Sequence, residues 1–75
     1  MRRKIPGTFA LVAFTTAARH ESFTKAAHEL SLSQSAVCRQ ISGLEDFLRV
    51  KLFRRTRQGV RLTEAGMLYG RQVAK

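Results

Sequence analysis

The chain has 75 residues, which is enough for one small domain with a single modest core. Its hydrophobic fraction of 44% and its one proline are typical of a folded protein and argue against a disordered one. Fourteen Lys and Arg residues against five Asp and Glu give a net charge of +9, and a folded domain this basic usually meets a polyanion, either nucleic acid or an anionic membrane surface.

The N-terminal residues 1–6 are basic and end at Pro6, so we expect a poorly ordered arm. This start and the apolar run behind it also imitate a signal peptide. We disfavour that alternative because the run is short, two threonines follow it, and cleavage would remove a helix that the domain needs. No stretch approaches the roughly 18 apolar residues of a membrane span.

A first helix is predicted over 8–19, with an inward stripe made of Leu11, Phe14 and Ala18. Phe9 and Val12 extend the apolar surface beyond what one stripe needs. We therefore expect these two side chains to pack on a fourth helix or on a partner chain.

Residues 23–48 organise the rest of the chain. Apolar residues recur there at helical spacing in two sets, which are Phe23, Ala26, Ala27 and Leu30, then Val37, Ile41, Leu44 and Leu48. Between the sets, Leu32 can fill the corner of a tight turn, and Ser33 is a good N-cap for a helix over 34–48. The pattern over 23–42 predicts a helix-turn-helix, whose second helix enters the major groove of DNA.

The second helix leaves a polar face outside, formed by Ser35, Arg39, Ser42 and Asp46, with Gln34 and Cys38 on its shoulder. Gln and Arg can make bidentate hydrogen bonds to adenine and guanine edges, and Ser hydroxyls suit phosphate oxygens. An ordinary solvated helix face explains the same residues equally well when they are taken alone.

A small β-hairpin is predicted over 52–62, where two apolar pairs flank a basic turn that contains Gly59. Six basic residues and no acidic one lie between Phe47 and Thr63. A hairpin with a basic tip beside a helix-turn-helix is a wing, which can follow a phosphate backbone or enter the minor groove.

A last helix starts after Thr63, its predicted N-cap, and places Leu68, Tyr69 and Val73 on one side. It still runs where the chain stops at Lys75, so we expect either a fragment of a longer protein or a helix that pairs with a partner.

The run from Ser22 to Gly66 resembles the N-terminal DNA-binding domain of LysR-type transcriptional regulators. The shared motifs are FTxAAxxL, SQxAVxxQIxxLE, LFxR and RLTEAG, in that order and at fixed spacing. The opening IPGTFALVAFTTAARH is similar to the subgroup that contains the glycine-cleavage activator and the β-lactamase regulator.

The resemblance implies a mainly α fold, a winged helix-turn-helix with a three-helix core, a two-stranded wing and the start of a linker helix. It divides the chain into a DNA-binding domain, 1–62, and a truncated linker and dimerisation helix, 63–75, with no effector domain and so no small-molecule inducer. The expected partners are double-stranded DNA carrying an interrupted palindrome and a second copy bound weakly through the linker helix. The expected setting is the bacterial cytoplasm, at the nucleoid.

The resemblance also assigns roles to single residues. Base contacts fall on Gln34, Ser35 and Arg39. Phosphate contacts fall on Thr24, Ser33, Cys38, Ser42 and Arg55. The wing positions are Arg57, Gln58 and Arg61, and the dimer face comprises Phe9, Val12, Leu68, Tyr69 and Val73.

Several positions depart from the family's pattern, and two of them, Phe9 and Val12, are more apolar than expected for the first helix, which fits burial against the linker helix. Cys38 replaces a usual Ser, which weakens or removes a hydrogen bond to DNA. Gln58 occupies a position at the wing tip that is often basic in relatives, so Arg57 is expected to take over the minor-groove role. Arg49 replaces a usual Gly, and a left-handed backbone there would cost a non-glycine residue roughly 1 kcal/mol. A phosphate contact from Arg49 would offset part of that cost.

Two other functions fit the sequence less well. A non-specific module that binds nucleic acid or anionic membranes explains the charge but not the order of the motifs. An enzyme is disfavoured because His20, His28 and Cys38 fit no ligand spacing and no Gly-rich phosphate loop is present. We therefore expect no metal and no cofactor. The single cysteine excludes an internal disulfide and fits a reducing compartment.

Overall fold

The computed structural model describes residues 7–73, so the predicted basic arm over 1–6 and the last two residues of the chain lie outside the described residues. The elements in chain order are α1 (Thr8–His20), α2 (Phe23–Leu30), α3 (Gln34–Leu48), β1 (Phe53–Thr56), β2 (Gly59–Leu62) and α4 (Glu64–Val73). The predicted fold class, a mainly helical winged helix-turn-helix with a two-stranded wing, is confirmed.

Serine side chains fix where the two central helices begin. The hydroxyl of Ser22 accepts from the backbone N–H of Lys25 at 3.0 Å, and that of Ser33 accepts from the N–H of Ala36 at 3.1 Å. Each bond satisfies one of the amide groups that a helix leaves without a partner at its start. The predicted cap at Ser33 is therefore confirmed.

Three helices end on a residue in the left-handed conformation. These are Glu21, Ser31 and Arg49, with φ of 52°, 58° and 62°. At Arg49 the backbone N–H bonds to the carbonyl of Glu45 at 2.7 Å, which closes the last turn of α3. The left-handed conformation anticipated for Arg49 is present.

The core lies where α1, α2 and α3 meet the base of the wing. Phe14, Val37, Leu44 and Leu52 are its largest fully buried side chains. The predicted inward stripe of α1 was only partly right, since Phe14 is buried but Leu11 and Ala18 pack half-buried at the margin. Alanines take their place in the interior, at Ala10, Ala13 and Ala17.

The wing is an antiparallel pair that is anchored to the turn between α1 and α2. Gly59 has φ of +143°, and a Cβ there would lie 2.7 Å from the carbonyl oxygen of Glu21. The N–H of Val60 donates to that same oxygen at 3.3 Å. Glycine is needed here for its positive φ, as predicted, and also because only a residue without a Cβ can come this close to Glu21.

A carboxylate joins the end of α3 to the start of the wing. Glu45 Oε2 accepts from the backbone N–H groups of Leu52 and Phe53, at 2.7 and 3.2 Å. Charge-assisted bonds of this kind are among the stronger ones in proteins. Glu45 therefore fixes the angle at which the wing leaves α3.

Helix α4 packs closely on the segment before the wing. Thr63 caps it, accepting from the N–H of Gly66 at 3.0 Å, and a Cβ at Gly66 would lie 2.2 Å from the carbonyl oxygen of Leu52. Tyr69 stacks edge-on against Phe14, with ring centroids 5.3 Å apart. Within residues 7–73 no helix is long and apolar enough to cross a membrane.

Candidate nucleic-acid interface

The outer face of α3 has the two-sided character that the sequence predicts. Val37, Ile41 and Leu44 are buried against the rest of the core. The residues on the opposite side are exposed, namely Gln34, Ser35, Arg39, Ser42 and Asp46. The free side of the helix is therefore polar and carries a cation near its middle.

An open groove of about 450 Å³ runs along this face, lined by Gln34, Ser35, Cys38, Arg39 and Ser42. A second cavity of about 420 Å³ separates α3 from the wing, and Cys38 and Ser42 line it as well. Cys38 is half-buried and packs against the core while it lines both of these openings, so its predicted phosphate contact stays a prediction.

Asp46 limits how far along α3 a polyanion can lie. Its carboxylate is exposed two turns beyond Arg39 and on the same side of the helix. A phosphate is repelled by a carboxylate, so the part of the face that suits DNA is the first half of α3, from Gln34 to Ser42.

At the start of α3, the two helices of the motif are joined by a side-chain hydrogen bond. Thr24 Oγ1 donates to Gln34 Oε1 at 3.1 Å. This bond uses the only proton of the Thr24 hydroxyl. Sequence reasoning treated the two residues separately, as a phosphate contact and a base contact, and missed that they touch.

Ser33 is placed differently from Thr24. Its oxygen accepts the capping bond from Ala36, and this leaves the hydroxyl proton available to an outside acceptor. A phosphate oxygen is such an acceptor, and it would also be favoured by the N-terminal end of α3.

Aromatic rings connect the wing to the helix-turn-helix. The guanidinium of Arg55 lies 5.7 Å from the ring centroid of Phe23, and the ring of Phe53 meets that of Phe23 edge-on at 5.3 Å. Arg55, a predicted phosphate contact, is exposed while it covers this ring. It thus holds strand β1 against α2 by a cation–π contact as well as presenting a charge.

The wing carries several exposed arginines close together. Arg54 on β1 lies directly opposite Arg61 on β2 in the strand register, and Arg57 and Gln58 form the exposed turn. Like charges opposite each other on paired strands are destabilising. No acidic residue lies between Phe47 and Thr63 to offset this repulsion. A polyanion bound beside the wing would offset it.

Glu29, an acidic side chain whose pKa is lowered, lies away from this face. Glu29 bonds to Arg19 at 2.8 Å and to His20 at 2.7 Å, which ties α2 to the end of α1. The hydrogen bonds from Arg19 and His20 lower the pKa of Glu29 to about 2. This exposed cluster is a link between helices and not a candidate site.

The predicted dimer-face residues do not share one environment. Phe9, Val12 and Leu68 are 45%, 38% and 55% exposed, and Met67, which sequence reasoning left out, is 53% exposed. Tyr69 instead packs on Phe14 inside the chain, and Val73 is half-buried. Within one chain α4 leaves Phe9 and Val12 exposed, so of the two predicted alternatives the partner chain remains.

Between residues 7 and 73, no three His, Cys, Asp or Glu side chains come together in a way that could hold an ion. The described residues form a surface suited to binding, with a polar helix face, a serine at a helix start and a basic hairpin beside them.

Comparison with known proteins bears on this surface. Residues 9–67 match a family model described as "Bacterial regulatory helix-turn-helix protein, lysR family". The chain is 52% identical over 69 residues to the glycine cleavage system transcriptional activator of Escherichia coli strain K12, across 92% of this chain and 23% of that protein. It is 51% identical over 57 residues to the transcriptional activator AmpR of Pseudomonas aeruginosa, across 76% and 19% of the two chains.

Solved structures give the same result for the fold. The crystal structure of the CbnR DNA-binding domain in complex with DNA is similar with a TM-score of 0.84 and 32% identity, over 88% of this chain and 76% of that one. A LysR-family regulator from Eggerthella lenta DSM 2243 is similar with a TM-score of 0.86 and 33% identity, over 92% and 99%. The chain spans less than a quarter of the length of the first curated relatives it matches, 23% for the Escherichia coli activator.

Proposed function

We propose that this chain, which belongs to the LysR family of bacterial regulatory helix-turn-helix proteins, binds double-stranded DNA sequence-specifically as the DNA-binding domain of a transcriptional regulator. The observation that carries the proposal is the outer face of α3, where polar side chains stand exposed along the first half of a helix whose other side is buried. A helix of this kind fits the major groove. A similar domain has been solved in complex with DNA, which supports DNA binding by this chain.

We assign base contacts to Gln34, Ser35 and Arg39. The guanidinium of Arg39 can donate two hydrogen bonds to the O6 and N7 atoms of one guanine, which distinguishes that base from the other three. A well-formed contact of this kind contributes about 1–3 kcal/mol of discrimination. Phosphate contacts are assigned to Ser33 and Ser42, which flank these residues on α3 or just before it.

The wing supplies contacts of a different kind. Arg55, Arg57 and Arg61 are exposed on the hairpin, with Arg57 and Gln58 at its turn. Arginine is favoured in narrow minor grooves, where the negative potential is enhanced. We therefore place Arg57 in the minor groove or on the adjoining backbone, where it adds affinity with little base discrimination.

The test compares one variant of each kind on DNA selected by the parent chain from a random duplex library. Arg39→Ala should lose about 1–3 kcal/mol of affinity for the selected duplex while keeping its affinity for a scrambled one. Arg57→Ala should weaken binding to both duplexes. It should also reduce the slope of log K against log salt concentration by about 0.9 for each lost phosphate contact.

The outcomes separate this proposal from a general polyanion module. Equal weakening of both duplexes by Arg39→Ala would remove its base-contact role. Equal competition by scrambled DNA, or by vesicles of anionic lipid, against the selected duplex would overturn sequence-specific binding itself.

We also propose that two copies act together on an interrupted palindrome. Four of the large apolar side chains that the described residues expose lie on the neighbouring helices α1 and α4, at Phe9, Val12, Met67 and Leu68. A second copy would cover them, with residues 63–75 as the linker helix. Sedimentation over a range of concentrations tests this: a monomer at every concentration, with and without a two-site duplex, would contradict it.

The proposed setting follows from the family. A regulator of this type works at DNA in the bacterial cytoplasm, and we propose the same for this chain. The function is one of binding, and we propose no catalytic role and no cofactor.

A further inference from the structure

We propose that Thr24 is a specificity-determining positioning residue, which holds the carboxamide of Gln34 so that its amide nitrogen, and not its oxygen, is presented to the base edges. This inference rests on the proposed function and names what one position of the DNA site must offer. It replaces the phosphate contact that the family resemblance assigns to Thr24.

The geometry comes from two helices that meet at a tight turn. Thr24 lies in the first turn of α2, and Gln34 is the first residue of α3, ten positions later. The bond from Thr24 Oγ1 to Gln34 Oε1 spans the two starts at 3.1 Å. Both helix starts are fixed by serine caps, at Ser22 and Ser33. A β-branched threonine has restricted χ1 freedom in a helix, so its hydroxyl is a comparatively rigid donor for the flexible glutamine.

The donors and acceptors of the two side chains determine which group of Gln34 remains free to bond to DNA. A carboxamide has one acceptor oxygen and a nitrogen with two N–H donors. The hydroxyl proton of Thr24 bonds the oxygen and turns it towards α2. Gln34 is exposed, and within the described range 7–73 its nitrogen donates to no group of the chain. The free end of Gln34 is thus a donor.

A donor suits some bases better than others. Glutamine reads adenine by donating to N7 and accepting from the N6 amino group at the same time, which needs the oxygen as well as the nitrogen. Guanine offers N7 and O6, and thymine offers O4, all of them acceptors. With its oxygen held by Thr24, Gln34 should therefore favour guanine or thymine over adenine at the base it meets.

A phosphate contact by Thr24 is excluded while this bond is made. Phosphate oxygens at neutral pH only accept hydrogen bonds, and the threonine hydroxyl has a single proton. The two roles therefore predict different behaviour. A phosphate contact adds affinity on every sequence, whereas a positioning role changes the preference at one base pair only.

The experiment uses the 75-residue chain and the duplex that it selects from a random library. The base pair read by Gln34 is located as the position where Gln34→Ala loses discrimination. Four duplexes with each base pair at that position are then measured with the parent and three variants. Thr24→Val removes the hydroxyl at nearly constant shape, Thr24→Ala removes it with a smaller side chain, and Thr24→Ser keeps it. Thermal unfolding of each variant verifies that it is folded.

The expected result is a loss of discrimination without a general loss of binding. The preference of the parent for guanine or thymine over adenine should fall about fivefold in Thr24→Val and Thr24→Ala, the worth of one ordinary hydrogen bond, and should survive in Thr24→Ser. In a Gln34→Ala background, Thr24→Val should leave the four affinities in the same ratio.

Two results would overturn the inference and leave the proposed function intact. One is an unchanged base preference in folded Thr24→Val. The other is an equal loss on all four duplexes that persists in the Gln34→Ala background, which is the signature of a phosphate contact. A parent chain that selects no sequence at all would instead overturn the proposed function, and this inference with it.

Discussion

Arg49 combines a conformational cost with a charge, and two substitutions can separate them. Its φ of 62° and ψ of 31° place it in the left-handed region at the end of α3. Its side chain is exposed, so a smaller residue forfeits little packing there. Arg49→Ala removes the charge and keeps the conformational cost of the left-handed backbone, because alanine also has a Cβ. Arg49→Gly removes both.

The size of the effect follows from backbone energetics. A left-handed residue with a Cβ costs roughly 1–2 kcal/mol, and glycine gives back roughly 0.4–1 kcal/mol through the greater freedom of the unfolded chain. The free energy of unfolding should therefore be about 0.5–1 kcal/mol higher for Arg49→Gly than for Arg49→Ala. For a domain of this size the difference in Tm is about 2–8 °C.

Urea unfolding of the parent and the two variants at constant salt measures the stability difference, and titration with the selected duplex measures the charge. If Arg49 contacts a phosphate, both variants should bind DNA more weakly than the parent, and by the same factor. The slope of log K against log salt concentration should then be smaller by about 0.9. A glycine variant no more stable than the alanine variant would refute the conformational part. Affinities equal to that of the parent would refute the phosphate contact.

Two further predictions concern stability. Gly66→Ala should destabilise the fold by about 1–3 kcal/mol, because its Cβ would lie 2.2 Å from the carbonyl oxygen of Leu52, whereas Gly43→Ala, where nothing lies within 4 Å, should stabilise α3 by about 0.5–1 kcal/mol. Glu29 has its pKa lowered from 4.5 to about 2 in the folded state, so its contribution to stability is present above pH 4.5 and is lost as the pH falls towards 2. Glu29→Gln should therefore flatten this part of the stability profile, as measured by thermal unfolding between pH 2 and 6.

The same measurements can contradict these two predictions. Equal Tm changes for Gly66→Ala and Gly43→Ala would mean that α4 does not need its close contact with Leu52. A Glu29→Gln profile parallel to that of the parent below pH 4.5 would mean that the hydrogen bonds to α1 do not hold the carboxylate ionised.

The helix-turn-helix could be predicted because its pattern is local. In α3 the apolar residues Val37, Ile41 and Leu44 recur every three to four positions, and this spacing alone determines which side is buried. The wing was predictable for a similar reason, since Gly59 and the apolar pairs around it specify a turn. Both elements have the bounds that the sequence indicates, to within a residue or two.

What could not be predicted depends on contacts between distant parts of the chain. The stripe of α1 shifts to small alanines, Ala10, Ala13 and Ala17, because close helix packing selects small side chains that carry a weak hydrophobic signal. Glu45 bonds to amides seven and eight residues away, and Thr24 to a side chain ten residues away. No periodicity encodes such pairs, so the site's residues could be named from the sequence but not their mutual bonds.

The central claim is that the free side of α3 contacts base edges while the wing contacts the backbone or the minor groove. NMR of the isotopically labelled chain bound to its selected duplex tests it directly, through intermolecular contacts to assigned DNA protons. We expect side-chain protons of Ser35 and Arg39 to contact major-groove base protons, and those of Arg57 to contact sugar or minor-groove protons. Contacts from the wing alone, with α3 unchanged by the addition of DNA, would contradict the account.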